Sequence, residues 1–102
     1  MPPTYDMDSS FAADWKRLSN SQKEQFKAAQ RQMRIDIANA GDNAITFQPY
    51  LRVKGVTAAP GIFEMTWAPD GRATFEYGPE IKPGITHISW RRIGTHDIFK
   101  RP

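Results

Sequence analysis

The chain has 102 residues, with 14 Lys or Arg against 11 Asp or Glu, so it is sized for a single domain and carries a formal net charge of +3. It contains no cysteine and only two histidines, which excludes disulfides and thiolate metal sites, and we expect neither a bound metal nor another cofactor. No apolar run approaches the roughly 20 residues that span a bilayer, and the first ten residues lack signal-peptide features, so we expect a cytoplasmic protein without membrane contact.

The first part of the chain predicts an arm and a short helix. Two prolines near the start disfavour regular structure, so residues 1–8 are expected to form a loose arm. In "SFAADWKRLS", apolar residues follow the i, i+4, i+7 spacing of a helix, and Ser9 or Ser10 can cap it.

A second, longer helix is predicted to run to about residue 40. Ser21 and Glu24 match the S-x-x-E capping box at its start, and Gly41 supplies a stop. Because the interruption between the two helices is short, we expect them to form an antiparallel hairpin.

At about Gln48 the hydrophobic period changes from near 3.6 to 2, which indicates strands. "YLRVKGV" predicts a short strand with Arg52 and Lys54 on one face. "GIFEMTWAPDGRATFEYG" predicts a β-hairpin, because apolar residues alternate on both sides of a Pro-Asp-Gly turn.

The stretch "ITHISWRRI" predicts one more strand, ending at Gly94. Regular alternation would place Trp90 and Arg92 on one face and Arg91 on the other. The predicted architecture is therefore α+β: one domain, 1–102, in which an N-terminal helical hairpin packs on a mainly antiparallel four-stranded sheet. The uncovered face of that sheet is available for binding.

The order of two helices followed by "LRVKG…GIFEMTWAPDGRATFEY…HISWRRIGTHDIF" resembles the RelE/ParE superfamily of bacterial toxins, and RelE and YoeB in particular. The resemblance implies a toxin of a type II toxin–antitoxin pair, neutralised by a cognate antitoxin protein. RelE-like members cut mRNA on the ribosome with the 2′-hydroxyl as nucleophile and without a metal. The implied activity is thus that of a metal-independent endoribonuclease, with mRNA and the ribosome as partners.

Two residues are candidates for catalysis. Arg72 stands where the resembling family has an arginine that contacts the phosphate, although it could also be a turn-flanking arginine in water. His96 lies in the segment that contributes a general acid or base, and a histidine pKa suits that task near neutral pH. Its alternative is a structural histidine at a strand end.

Five further residues are candidates for RNA binding. Arg52 and Lys54 could follow the RNA backbone, or could only protect an edge strand with charge. Arg91 and Arg92 could add one contact, or both could be solvated strand-end charges. Phe99 stands where relatives often have a tyrosine, and it keeps the stacking face without the hydroxyl.

The sequence also departs from the ribonuclease pattern. Glu64 and Thr66 stand where some RelE-like enzymes have lysines. This favours an alternative, a ParE-like toxin that inhibits DNA gyrase by contact alone, and a RelE-fold partner-binding protein without toxicity is a further alternative. If the chain is a ribonuclease, Arg72, His96 and at least one of Arg52, Lys54, Arg91 or Arg92 should converge on one concave face. Their side-chain ends should lie about 10 Å apart or less, within reach of a single phosphate.

Overall fold

The computed structural model describes residues 2–102 and has two helices packed against a five-stranded sheet. The elements are β1 (Thr4–Met7), α1 (Ser9–Trp15), α2 (Asn20–Ala40), β2 (Lys54–Gly55), β3 (Phe63–Ala68), β4 (Gly71–Gly78) and β5 (His87–Gly94). A first 3-10 helix, Pro49–Leu51, precedes β2, and a second, His96–Lys100, follows β5. Neither α-helix within residues 2–102 combines the length and apolar character needed to cross a membrane. The predicted α+β class and the two N-terminal helices are confirmed.

The sheet order is β1-β5-β4-β3-β2, in which β1 runs parallel to β5 and the other neighbours are antiparallel. The expected four-stranded sheet is therefore wrong in strand count, because the sheet has five strands and is mixed. The additional strand comes from the expected loose arm. Residue 1 lies outside the described residues, but residues 4–7 form β1 rather than an arm.

The pairing of β1 is reinforced by side chains. Thr4 Oγ1 lies 2.8 Å from His87 Nδ1, and His87 Nε2 lies 3.2 Å from a carboxylate oxygen of Asp6. His87 is buried between these two partners. Backbone N–H and C=O groups on the outer edge of β5 form hydrogen bonds with β1. These long-range hydrogen bonds outweigh the local tendency of the nearby prolines to disfavour regular structure.

The N-cap of helix α2 lies two residues earlier than predicted. Ser19 accepts a hydrogen bond from the Gln22 amide, and the Gln22 side chain accepts one from the Ser19 amide, so the capping box is Ser19 with Gln22 rather than Ser21 with Glu24. Glutamine serves as well as glutamate in this motif. The helix ends at Gly41, whose φ of +56° suits a residue without Cβ.

The core lies between the helices and one face of the sheet, and aromatic rings dominate it. Phe11 of α1 and Phe26 of α2 both contact Trp90 of β5, with ring centroids 6.0 and 5.2 Å apart. Trp90 also contacts Phe75 of β4 at 5.4 Å. Each such pair adds about 0.5–1.5 kcal/mol beyond its buried area. The cluster packs both helices against the central strands β4 and β5. These strands carry Arg72 and lead into the segment with His96.

The predicted strand over "YLRVKGV" is largely replaced by a turn. Pro49 begins the first 3-10 helix, Arg52 ends it in the left-handed conformation at φ +48°, and only Lys54 and Gly55 form β2. Arg52 and Lys54 therefore do not share a strand face, and that expectation is wrong. A proline is preorganised for the first turn of a helix and cannot donate to a strand ladder, which accounts for the turn.

The β3–β4 hairpin is confirmed, with Phe63 opposite Phe75. The β4–β5 pairing contains a bulge, because Thr74 faces Arg92 while Phe75 faces Trp90. Arg91 is the extra residue. The bulge breaks the predicted alternation, so Trp90 is buried in the core and Arg92 does not share its face.

Candidate functional site

The β3–β4 turn anchors both candidate catalytic side chains. The Nη1 group of Arg72 donates to three carbonyl oxygens of this turn, those of residues 68, 69 and 71, at 2.9 to 3.3 Å. His96 Nδ1 lies 3.3 Å from a carboxylate oxygen of Asp70 in the same turn. Arg72 and His96 are thus held by neighbouring residues although they are far apart in the sequence.

The His96–Asp70 pair is exposed, with 67% and 70% of the two side chains accessible. When Nδ1 of a neutral imidazole donates to a carboxylate, Nε2 is left as the free proton acceptor. His96 opens the second 3-10 helix, and the ring of Phe99 lies in the same helix with its centroid 6.4 Å from the imidazole centroid. An imidazole and an aromatic ring therefore lie side by side.

Arg72 also lines a pocket of about 480 Å³ together with Arg52. Tyr50, Trp67 and Gln25 contribute to its walls, and no aspartate or glutamate does. The 3-10 helix places Arg52 here, not the strand expected from the sequence. Two guanidinium groups without a lining carboxylate make this pocket suitable for an anionic or electron-rich ligand.

Lys54 lies apart from this pocket, at the sheet edge. Its ammonium group is 3.8 Å from the carboxylate of Glu64, the residue opposite it on β3. The Glu64 side chain is only 12% exposed and that of Lys54 is 61% exposed. The lysine therefore compensates a partly buried carboxylate, as expected for a charged edge strand.

Arg92 forms an ion pair with Asp14 of α1. Its Nε and Nη2 groups donate to the two carboxylate oxygens at 2.6 and 3.2 Å, and the amide of Ile93 donates to the same carboxylate at 3.1 Å. The hydrogen bonds that the Asp14 carboxylate accepts raise the pKa of the Arg92 guanidinium above its usual value. Nε and Nη2 of Arg92 are therefore already used in a contact within the chain.

Both arginines of the bulge also contact the C-terminal segment Arg101–Pro102. Arg91 Nε donates to the carbonyl oxygen of Pro102 at 3.2 Å, and Arg92 Nη1 donates to that of Arg101 at 3.0 Å. The hydroxyl of Thr74 donates to the Pro102 carbonyl at 3.1 Å. A second pocket, of about 620 Å³, lies beside this segment.

The candidate residues thus divide into groups. Arg72 and His96 share the β3–β4 turn, and Arg52 shares a pocket with Arg72, whereas Lys54 and the arginine pair have other partners. The sequence did not predict Asp70 as the partner of His96, nor Asp14 as the partner of Arg92. Both contacts join residues far apart in the chain, so no local spacing of residues in the sequence predicts them.

Solved structures resemble the whole chain at low sequence identity. A chain of the Escherichia coli DinJ–YafQ toxin–antitoxin complex matches with a TM-score of 0.67 and 11% identity, covering 95% of this chain and 96% of that one. A chain of the RelB–RelE antitoxin–toxin complex from Methanococcus jannaschii matches with a TM-score of 0.57 and 12% identity, covering 92% of this chain and 93% of that one. The chain has a RelE-like fold.

The fold predicted from the sequence resemblance is thereby confirmed. The solution structure of a conserved hypothetical protein from Helicobacter pylori also matches, with a TM-score of 0.57 and 13% identity, covering 95% of this chain and 97% of that one. No protein-family model and no curated protein sequence matches the RelE-like chain.

Proposed function

We propose that this RelE-like protein is the toxin of a type II toxin–antitoxin pair and acts as a metal-independent endoribonuclease on mRNA. Two of the similar structures are toxin–antitoxin complexes, and each is matched over more than nine-tenths of its chain. The observation that carries the ribonuclease proposal is the anchoring of His96 and Arg72 on one turn. The reaction needs a proton-transfer group and a cation around the same phosphate.

In the proposed reaction the RNA 2′-hydroxyl attacks the adjacent phosphorus. The new O2′–P bond forms and the P–O5′ bond breaks, so the products are a 2′,3′-cyclic phosphate and a 5′-hydroxyl. His96 transfers one proton, either from the attacking hydroxyl or to the leaving oxygen, with Asp70 holding the imidazole through Nδ1. General acid–base catalysis of this kind contributes about two to four powers of ten in rate.

Arg72 is suited to the negative charge that builds on the phosphate. Its three internal hydrogen bonds all use Nη1, so Nε and Nη2 have no partner within residues 2–102. The internal bonds fix the guanidinium before RNA arrives, and preorganised donors of this kind are effective in stabilising a transition state.

The remaining candidates would bind RNA. Phe99, next to His96, offers a ring on which a base can stack. Arg52 brings a second guanidinium to the pocket of Arg72, and Lys54 adds an exposed charge at the sheet edge. Arg91 and Arg92 would contribute less, because Glu76 and Asp14 already compensate their charges.

The proposed partners are mRNA on the ribosome and a cognate antitoxin. An antitoxin segment that shields Arg52, Lys54 and Arg72 should be acidic, since opposite charges favour association. Co-expression of the chain with the small gene beside its own, followed by pull-down, tests this. A chain that is harmless and has no adjacent partner gene would argue against the toxin assignment.

The decisive experiment is expression in a host that lacks the antitoxin, with growth and RNA integrity followed together. The wild-type chain should stop growth and fragment mRNA within minutes. The His96→Ala, Arg72→Ala double variant should do neither, whereas Arg31→Ala, which changes an exposed arginine of α2, should behave as wild type.

Other outcomes would overturn the ribonuclease proposal. Toxicity that persists in the double variant, with intact mRNA and a DNA-damage response, would indicate a gyrase inhibitor of the ParE kind. Unaffected growth on expression of the wild-type chain would indicate a partner-binding protein without toxicity.

A further inference from the structure

The pocket shared by Arg52 and Arg72 lies where the sheet edge is incomplete. Strand β2 pairs only with Phe63 and Glu64, so the end of β3 has no neighbouring strand on that side. The first 3-10 helix and α2 enclose the space beside it. The volume of about 480 Å³ falls in the range of roughly 300–1,000 Å³ typical of small-ligand sites.

The chemistry of the walls fits a nucleobase. Tyr50 presents an aromatic ring that is 62% exposed and is therefore accessible for stacking on a base. Arg52 supplies a guanidinium and Gln25 a side-chain amide, which together can donate and accept hydrogen bonds at a base edge. Because no carboxylate lines the pocket, an electron-rich ligand meets no repulsion there.

Two further observations point to this pocket as a binding site. Arg52 is the only non-glycine residue with a positive φ within residues 2–102, and such strain concentrates at ligand sites. Among the same residues, the indole nitrogen of Trp67 is the only buried side-chain polar atom without a hydrogen-bond partner. Both residues line this pocket.

We propose that the pocket binds a guanine base of the RNA next to the cleaved phosphate and so determines where the RNA is cut. This inference rests on the proposed function. Tyr50 stacks on the base, Arg52 donates two hydrogen bonds to guanine O6 and N7, and Arg72 holds the neighbouring phosphate. Guanine is favoured over adenine because O6 and N7 are both acceptors, whereas adenine presents a donor at N6.

Binding can be measured without any cleavage. Nucleoside monophosphates are titrated into the ¹⁵N-labelled chain, and the Trp67 indole signal is identified by its loss in Trp67→Phe. GMP should shift this signal at lower concentration than AMP, CMP or UMP. Tyr50→Ala should weaken GMP binding about fivefold or more, which is the usual effect of losing a stacked ring. Arg52→Lys should remove the preference for GMP over AMP, since lysine lacks the two-pronged geometry.

Tyr5→Ala is the matched control, because Tyr5 is a 53% exposed tyrosine on β1 that does not line this pocket. It should bind GMP as the wild type does. Circular dichroism checks that each variant is folded. GMP binding that is equal to AMP binding, or that is unchanged in Tyr50→Ala, would overturn the inference.

Mapping of RNA ends separates this inference from the proposed function. Wild-type cuts should be enriched beside guanine, and the cuts that Arg52→Lys still makes should lack this enrichment, whatever their overall rate. RNA cleavage with the same cut sites in Arg52→Lys would overturn the base pocket and leave the ribonuclease proposal intact. Selective GMP binding in a chain that cleaves no RNA would support the pocket and refute the ribonuclease proposal.

Discussion

The carboxylate of Asp14 accepts hydrogen bonds from Nε and Nη2 of Arg92, 78 residues further along the chain, at 2.6 and 3.2 Å. The same carboxylate accepts the amide of Ile93 at 3.1 Å. Asp14 is buried, so its charge is balanced mainly by this arginine. The pair joins α1 to the bulged part of β5, which gives Arg92 a structural role in addition to its predicted RNA contact.

Replacing Asp14 by alanine should therefore destabilise the fold. The change leaves the Arg92 guanidinium and the Ile93 amide without an acceptor, and we expect the free energy of unfolding to fall by about 2–3 kcal/mol. Urea unfolding measures this loss of free energy, and Asp42→Ala at an exposed position is the control. Adding Arg92→Ala should recover part of the loss. A change below about 0.5 kcal/mol, within the range of ordinary surface substitutions, would contradict this role.

His96→Ala should affect chemistry far more than stability. We expect single-turnover cleavage to slow by about two to four powers of ten, because the proton-transfer group is lost. The side chain is 67% exposed, so thermal unfolding should change little. Asp70→Asn should give a smaller loss, since it removes the negative charge beside the imidazole and leaves His96 itself in place. Asp97→Asn, an exposed neighbour, should be neutral, and an undiminished rate in His96→Ala would exclude the proposed role.

Arg72 and Lys54 should be separable by their salt dependence. Arg72→Ala should slow single-turnover cleavage, because transition-state charge loses a donor. Lys54→Ala should weaken RNA binding and reduce the slope of log affinity against log salt by about 1, with little effect on the cleavage step. Lys82→Ala serves as an exposed control. Equal effects of the Arg72 and Lys54 changes on both quantities would show that this division of roles is incorrect.

The left-handed backbone at Arg52 predicts an unusual order of stability. At φ +48° an alanine keeps the strain and a glycine releases it, so Arg52→Gly should be more stable than Arg52→Ala by about 1 kcal/mol. At Arg31, in the middle of α2, the order should reverse, with glycine less stable than alanine by about 1 kcal/mol. Urea unfolding of the four variants tests both signs together, and the same order at both positions would contradict the expectation.

The pH dependence of stability should include a contribution from Asp6. Its pKa lies below the usual value because the side chains of Ser89 and His87 hydrogen-bond to its carboxylate. A carboxyl group with a lowered pKa in the folded state stabilises the fold above its unfolded pKa, and this contribution disappears as the pH falls through the folded pKa. Asp6→Asn should therefore make the acid-side loss of stability less steep below about pH 4.

The effect of Asp6 should be small, because the side chain is exposed and solvent screens its interactions. Urea unfolding at a series of pH values from neutral to acidic measures it, with Asp42→Asn as the control. Identical curves for wild type and Asp6→Asn would show that the β1 contact carries no pH-dependent stability.

The sequence alone determined the helices, the β3–β4 hairpin and the last strand, and with them the α+β class. These elements follow from the spacing of apolar side chains among near neighbours, and from turn residues such as Gly41 and the Pro-Asp-Gly turn, whose effects are local. The likeness to RelE-like proteins rests on the same strand patterns, so it too was visible in the sequence.

Only the tertiary structure decided which distant groups meet. The parallel pairing of β1 with β5, the contact of His96 with Asp70 and that of Arg92 with Asp14 join residues 83, 26 and 78 positions apart. Each arises because a backbone edge or a charge removed from water needs a partner, and the partner is whichever group the packed core brings near. No period in the sequence encodes that proximity, since it exists only once the helices have packed on the sheet.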